Sequence, residues 1–224
     1  MMGDTGHPVS WGLSMYEGER FNGATHLAGL ALAVGASGWL SSRAAELKVD
    51  TKQIVSCAVF AASMIAVYAS SVLYHCTRGR NKARWAKADH CAIYLLIGGT
   101  YTPLAFGPVE HGWGAAMGVA IWLLAAIGIS RELWWARGAA PALPLYLAMG
   151  WLGVMFAAPI AGALSSAGLA WLLAGAAAYT VGTLFYVNDK RWRHAHGIWH
   201  LFVMGGSACH FVTVFGFLRY GTPA

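Results

Sequence analysis

Charged side chains are scarce in this 224-residue sequence, since Asp, Glu, Lys and Arg together make up 11% of it. A soluble domain of this length has about a quarter charged residues. The chain also has no linker, no low-complexity tract and no clear internal repeat that would divide it into domains. Its four cysteines show no CxxC spacing, so no disulfide framework is implied and we expect buried, reduced thiols.

Apolar residues are abundant instead and account for 58% of the chain. Charge is confined to short blocks between apolar stretches of roughly 20 residues, the length that crosses a bilayer. The sequence therefore predicts an all-α integral membrane protein, a seven-transmembrane helix bundle with interruptions at Gly98–Gly99, Pro103 and Pro159. The seven spans are expected over 22–41, 54–75, 89–107, 112–130, 142–161, 168–187 and 197–217.

Basic residues are unevenly shared between the two ends of these spans. The N-terminal segment and the second, fourth and sixth loops hold eleven Lys and Arg residues, and the opposite side holds four. The positive-inside rule then predicts a cytoplasmic segment over 1–21, one transmembrane domain over 22–217 and an extracytoplasmic tail over 218–224. The net charge of +6 fits contact with anionic lipid headgroups. We therefore expect membrane lipids as partners and no nucleic acid, while a homo-oligomer is left open.

Four of the predicted spans carry polar residues at the same end. In a helix, residues four apart share a face and lie about 6 Å from each other. Because alternate spans run in opposite directions, all these residues are expected at one depth near the cytoplasmic surface. They are Asn22 and His26 in the first span, Ser71 and His75 in the second, Asp89 and His90 in the third, and His196 and His200 in the seventh.

A single histidine at a membrane interface usually caps a helix or binds water, so an isolated histidine in this sequence does not by itself predict a metal site. His90 is expected to face away from its neighbour Asp89, because adjacent helical positions point about 100° apart. His210 lies about 15 Å along the helix from His200, and we expect it to form an interhelical hydrogen bond. Ionisable groups inside a span are costly and usually functional. A His-x-x-x-His pair joined by a third histidine from another helix therefore predicts a metal site.

Three imidazoles with an open fourth position are typical of a catalytic zinc site. Zinc lowers the pKa of a bound water to about 7, and Asp89 is the acidic residue placed to accept its proton. Ser71 is placed to hold this water or to donate to a developing oxyanion. Asn22 and His26 suit a supporting role in which they orient the ligand imidazoles.

The chain resembles the haemolysin III family, which is related to the adiponectin and progestin receptors and more distantly to the alkaline ceramidases. The resemblance runs from "ERFNGATH" to "ACHFVTVF" and rests on Ser-x-x-x-His ending the second span, Asp opening the third and His-x-x-x-His opening the seventh. It implies a zinc ion held by His75, His196 and His200, with Asp89 and Ser71 beside the activated water. The short N-terminal segment differs from the long extension of the animal receptors, so we expect a bacterial inner-membrane protein and no hormone signalling.

Two classes of function follow from these observations. The first is a zinc-dependent hydrolase that cleaves an amide or ester bond of a membrane lipid. The second is a pore-forming, cytolytic protein in which zinc is structural. The polar residues stop at one depth and do not line a path across the bilayer, which favours the hydrolase. A non-catalytic regulator of membrane composition or energetics remains a third hypothesis, and the lipid is not predicted.

Overall fold

The computed structural model describes residues 19–109, 111–135 and 141–220, which fold into helices joined by short turns, with no β-strand among them. Most of the predicted segment 1–21 and the end of the predicted tail 218–224 lie outside the described residues. The helices are α1 Arg20–Glu46, α2 Thr51–Cys76, α3 Arg80–Phe106, α4 His111–Ser130, α5 Leu143–Gly150, α6 Ala157–Ala163, α7 Ser166–Val187 and α8 Ala195–Tyr220. A π-helical turn, Arg131–Trp135, prolongs α4, and a 3-10 turn, Leu152–Phe156, joins α5 to α6.

Several helices are long and apolar enough to cross a membrane. By length and composition, the described residues contain five such segments. Two further predicted spans, 22–41 and 89–107, lie within α1 and α3, which are each 27 residues long but more polar. The chain is therefore a multi-pass membrane protein. The five segments are Thr51–Cys76, Gly112–Trp135, Leu143–Ala163, Ser166–Val187 and Ala195–Gly216.

The outer surface is rich in large apolar side chains, and several polar side chains are buried beside the apolar core. Large apolar residues face outward, and Trp135 and Met155 are 73% and 79% exposed. Polar residues such as Ser71, Thr213 and His200 are almost completely buried. Soluble proteins bury most of their large apolar side chains and expose most of their polar ones. The outer surface therefore suits contact with lipid, and the polar chemistry lies inside the bundle.

Helix packing brings α1, α2 and α8 together. Helix α2 packs against both α1 and α3, α3 packs against α4, and α8 contacts both α7 and α1. The approach of α3 to α2 is close at Gly99, where an added Cβ would lie 2.2 Å from Oγ of Ser63. Small residues permit such close packing in membrane bundles. The polar ends of α1, α2 and α8 consequently lie next to each other.

Local signals explain where several helices begin. The Asp50 carboxylate accepts a hydrogen bond from the main-chain N–H of Gln53 at 2.8 Å and thereby caps α2. Gly79 precedes α3 with φ of +64°, a conformation that glycine adopts without steric cost. Helix α3 therefore begins at Arg80, well before the predicted start at residue 89, and includes the basic block of the second loop.

The predicted fifth span, 142–161, coincides closely with the apolar segment Leu143–Ala163, but its interruption lies earlier than the predicted one at Pro159. Helix α5 ends at Gly150, and α6 follows only after the 3-10 turn. Pro159 lies in the first turn of α6, where its missing N–H removes no intrahelical hydrogen bond. The break thus comes before this proline. At Pro103, in contrast, α3 continues to Phe106 despite the predicted interruption.

The four cysteines have free thiols, as predicted, but only the first of them is buried and the other three are partly exposed. They are Cys57, Cys76, Cys91 and Cys209.

Candidate metal centre

Three histidines from two helices meet at the end of the bundle where α1, α3 and α8 begin and α2 ends. One ring nitrogen from each of His75, His196 and His200 lies within 4.8 Å of the other two. The ring centroid of His75 lies 5.2 Å from that of His196 and 5.1 Å from that of His200, and the latter two are 4.7 Å apart. We call these residues the tri-histidine cluster. Its geometry is the one that the sequence predicted, and metal binding by it stays a prediction.

Two of the three imidazoles are held through Nδ1 by groups at the start of α1. Nδ1 of His75 lies 2.6 Å from Oε2 of Glu19. Nδ1 of His200 lies 3.1 Å from the main-chain oxygen of Asn22 and 3.1 Å from Oγ1 of Thr25. A neutral imidazole that donates its Nδ1 proton keeps a lone pair on Nε2, which is then available to a metal. The start of α1 thus favours the tautomer that metal binding requires.

The third imidazole has a weaker contact of the same kind. Nδ1 of His196 lies 3.6 Å from Oδ2 of Asp189, in the turn before α8. This distance exceeds that of a normal hydrogen bond. All three Nδ1 atoms nevertheless face an oxygen atom.

A zinc ion fits the donor set of the tri-histidine cluster. Nε2 of His75 is buried and has no hydrogen-bond partner among the described residues. In a tetrahedral site with Zn–N distances of 2.0–2.1 Å, ligand nitrogens lie about 3.3 Å apart, so small shifts of the rings would close the site. Neutral imidazoles suit zinc, and three protein ligands leave a fourth position open.

Asn22 and His26, which the sequence predicts as supporting residues, contact the cluster in different ways. Asn22 accepts the Nδ1 hydrogen bond of His200 through its main-chain oxygen, and its side-chain Nδ2 donates to Glu19 at 3.1 Å. His26 is buried, and its ring stacks on that of His200 with centroids 3.6 Å apart. Neither ring nitrogen of His26 has a hydrogen-bond partner among the described residues. His26 therefore supports the cluster by ring stacking and not by hydrogen bonding.

The predicted catalytic pair, Asp89 and Ser71, borders the same cavity as the cluster. This cavity has a volume of about 920 Å³, and its wall includes Ser71, Asp89, His196 and His200. Ser71 is completely buried, and its Oγ has no hydrogen-bond partner among the described residues. Asp89 is half-buried. A carboxylate, a hydroxyl and two imidazoles thus share one wall.

The remainder of the cavity wall is largely apolar and aromatic and comes from α2, α3, α5, α7 and α8. Such a lining, with a few polar groups gathered at one place, is typical of a site for a small organic molecule. Its apolar residues include Val67, Ile93, Leu96, Ile97, Leu147 and Val203.

Two further histidines, His90 and His210, also line the cavity but are not part of the tri-histidine cluster. Nδ1 of His90 lies 3.6 Å from the buried carboxylate of Glu132, whose other oxygen accepts a hydrogen bond from Arg131 at 2.7 Å. Nε2 of His210 lies 3.3 Å from the main-chain oxygen of Leu172 in α7. The predicted interhelical hydrogen bond of His210 is therefore confirmed.

Sequence reasoning missed Glu19 and Asp189, the two carboxylates that face the cluster. Glu19 lies one turn before Asn22 in "ERFN", and Asp189 lies one turn before Arg193 in "NDKRWRH". The sequence feature that could have revealed them is an acidic residue just outside a span, where the first turn of that span contains a candidate ligand or a residue that orients one. The hydrogen bond from His75 and those from Lys82 and Asn22 hold the pKa of Glu19 below its usual range, despite partial burial. Glu19 is therefore a carboxylate anion at neutral pH.

Comparisons with known proteins identify the family and several relatives of this chain. Residues 15–211 match the protein family described as Haemolysin-III related. The "Hemolysin-3 homolog" of Bacillus subtilis (strain 168) is 40% identical over 195 residues, which cover 86% of this chain and 91% of that protein. "Hemolysin-3" of Bacillus cereus is 37% identical over 163 residues, or 72% and 74% of the two chains. The human "Monocyte to macrophage differentiation factor" is 26% identical over 189 residues, or 79% and 76%. The family match spans every residue of the tri-histidine cluster.

Proposed function

The chain belongs to the haemolysin III family, and from that premise we propose that it is a zinc-dependent hydrolase that cleaves an amide or ester bond of a membrane lipid. The observation that carries the proposal is the placement of the tri-histidine cluster beside a largely apolar cavity of about 920 Å³. Small-molecule sites have volumes of about 300–1,000 Å³. The cavity can therefore accommodate the reacting part of an amphiphile and an apolar portion attached to it.

The side chains on this wall have complementary chemical roles. A bound zinc ion lowers the pKa of a water molecule and polarises a carbonyl group. Asp89 accepts the proton of the attacking water, whose oxygen forms a bond to the carbonyl carbon. Ser71 donates a hydrogen bond to the carbonyl oxygen as negative charge develops there. When the C–N or C–O bond breaks, Asp89 returns the proton to the leaving nitrogen or oxygen.

We further propose that α1 and α3 complete a set of seven spans, with the N-terminus in the cytoplasm of a bacterium and the protein in its inner membrane. Polar residues of α1, such as Thr25 and His26, are buried against other helices and so are shielded from lipid. Eleven of the fifteen Lys and Arg residues then lie on the cytoplasmic side. The tri-histidine cluster would lie just below the cytoplasmic surface.

This orientation predicts that the start of α3 is protected from reagents outside the cell. A cysteine introduced at the exposed position Asn81, in a variant without the four native cysteines, should label only after the membrane is opened. Labelling of intact cells by a membrane-impermeant maleimide would contradict the orientation. A cysteine at the exposed position Lys52, on the opposite side, is the matched control and should label in intact cells.

Replacement of the proposed proton acceptor tests the hydrolase. Asp89→Asn keeps the size of the side chain and removes its basicity. We expect zinc content and fold to be retained while lipid turnover falls by about 10² to 10⁴, the usual contribution of general base catalysis. Asp50→Asn is a matched control far from the cluster, because Asn caps a helix as well as Asp does. Its turnover should equal that of the wild type.

The measurements are zinc content, product release from a panel of ceramides and phospholipids, and dye leakage from liposomes, all on the same preparations. Full turnover by Asp89→Asn would remove Asp89 from the mechanism. Wild-type leakage without any lipid product would favour the pore-forming alternative that the name of the Bacillus cereus relative suggests. If the zinc-loaded wild type causes no dye leakage and releases no lipid product, the result would favour a regulator.

A further inference from the structure

We propose that Glu19 is a positioning residue for the metal site: its carboxylate sets the tautomer and direction of His75, so that α1 organises a centre to which it contributes no ligand. The inference rests on the proposed function, because it presumes that the tri-histidine cluster binds zinc. It adds a role for a residue outside the predicted ligands and outside the catalytic pair.

The contact between Glu19 and His75 has the geometry that this role requires. Oε2 of Glu19 lies 2.6 Å from Nδ1 of His75 and accepts a hydrogen bond from it. The other ring nitrogen, Nε2, is buried and has no hydrogen-bond partner among the described residues. A buried polar atom without a partner is costly, unless a ligand engages it. The hydrogen bond to Glu19 therefore leaves the unpartnered nitrogen in the form that binds a cation.

The Glu19 carboxylate is itself fixed by donors from other helices. Nζ of Lys82, in α3, donates to Oε1 at 2.9 Å. Nδ2 of Asn22, in the first turn of α1, donates to Oε2 at 3.1 Å. Together with His75 in α2, three helices converge on one carboxylate. A carboxylate with so few free orientations can hold an imidazole in a single direction.

Two imidazoles of the cluster differ in the distance to the carboxylate that faces them, so the strength of the positioning effect can be compared within one site. His75 faces a carboxylate at 2.6 Å, whereas His196 faces that of Asp189 at 3.6 Å. A carboxylate raises the basicity of the imidazole that donates to it, and loss of such a partner commonly weakens metal binding by about 10- to 100-fold. The shorter contact should therefore matter more than the longer one.

A purely structural role for Glu19 makes a different prediction. Partly exposed ion pairs such as that of Glu19 with Lys82 contribute little to stability, whether or not a metal is bound. If Glu19 served only this ion pair, its replacement would change the metal-free and zinc-loaded proteins equally. A positioning role instead weakens zinc binding while the metal-free protein changes little.

The test compares four full-length variants in detergent: Glu19→Gln, Glu19→Asp, Asp189→Asn and the control Glu46→Gln. Glu46 lies at the other end of α1 and pairs with Arg43, so its replacement makes the same charge change in the same helix. The measurements are zinc affinity by competition with a chelator, the visible spectrum of the Co²⁺ form, and thermal stability with and without metal.

We expect Glu19→Gln to bind zinc about 10-fold or more weakly and to shift the Co²⁺ spectrum, with little change in metal-free stability. Asp189→Asn should lose less affinity, Glu19→Asp should recover part of it, and Glu46→Gln should match the wild type. If Glu19→Gln does not fold, Glu19→Asp carries the test, and an affinity below that of the wild type supports the role.

The inference would be overturned if Glu19→Gln had wild-type zinc affinity and an unchanged Co²⁺ spectrum. Where only Glu19→Asp folds, the same result for that variant would overturn it. The proposed hydrolase would not be affected by either result. A wild type that binds no zinc would overturn both. A wild type that binds zinc without lipid turnover, combined with weakened binding in Glu19→Gln, would overturn the hydrolase and support the positioning role.

Discussion

Helix α8 contains histidines in two environments, which differ in the groups that surround the imidazole rings. Near its start, His196 and His200 face His75, and each has an oxygen atom near Nδ1. Farther along, His210 is 8% exposed and hydrogen-bonds through Nε2 to the main-chain oxygen of Leu172. Among the described residues, the tri-histidine cluster is the one group of side chains found that could hold a metal ion.

The difference shows that burial of an imidazole is a poor sign of metal binding. An isolated buried histidine can satisfy one nitrogen with a backbone carbonyl, as His210 does, and thereby join two helices. Hydrogen bonds between membrane helices are worth roughly 0.6–2 kcal/mol. Metal binding requires several lone pairs that converge, each fixed by a partner on the opposite side of its ring. Only the start of α8 meets this condition among the parts of α8 that the structure describes.

The largest expected effect follows from removal of a ligand in the first environment. Replacement of His75, His196 or His200 by Ala should abolish most zinc binding and lower the midpoint of thermal unfolding in detergent. Bound metal stabilises the folded state by RT ln(1 + [L]/Kd), so a chelator added to the wild type should cause a similar decrease. The measurements are elemental analysis and thermal unfolding of purified protein.

His210→Ala is the control for this comparison and should keep its zinc, although the loss of an interhelical hydrogen bond should lower its stability. The contrast between the two environments would break down if all four variants lost zinc to the same extent. The ligand assignment would then be wrong.

A smaller effect is expected from crowding the second environment. An added Cβ at Gly175 in α7 would lie 2.4 Å from Cδ2 and Nε2 of His210 and 3.1 Å from the main-chain oxygen of Gly206. Gly175→Ala should therefore destabilise the protein by about 1–3 kcal/mol, because α7 and α8 must move apart. Zinc content should be unchanged, since the cluster lies at the other end of α8. Thermal unfolding and metal analysis of the same sample measure both quantities.

Gly35→Ala is the matched substitution, because a Cβ at Gly35 in α1 meets nothing within 4 Å. It should be neutral or stabilise the protein by up to about 1 kcal/mol, the helix propensity that alanine gains over glycine. Zinc loss in Gly175→Ala with retention in Gly35→Ala would show that the two environments of α8 are coupled.

Much of this architecture could be predicted from the sequence because its signals are local. Apolar runs of about 20 residues located the helices, and the i, i+4 spacing placed His196 and His200 on one face of α8. The alternation of span directions then brought His75 to the same end. The separate positions of His90 and His210 also followed from helical geometry alone.

The position of the break in the fifth span, before Pro159 and not at it, was beyond such signals. An uninterrupted apolar stretch has the same composition whether it forms one helix or two helices joined by a 3-10 turn, as Leu143–Ala163 does. The π-helical turn after α4, which includes the buried carboxylate of Glu132, was not predicted for the same reason.

By itself, the sequence determined the class of protein, the approximate positions of its helices and the end of the bundle at which its polar residues gather, because each depends on the spacing of residues along the chain. The resemblance to a known family, and not spacing, indicated His75 as the third histidine of the cluster. Only the tertiary structure decided which oxygen atoms hold those histidines. The contact of Glu19 with His75 joins residues 56 positions apart, and that of His200 with Asn22 joins residues 178 apart. Such distances depend on how α1 packs against α2 and α8, and helix packing is set by the combined shape of many side chains, which no local spacing records.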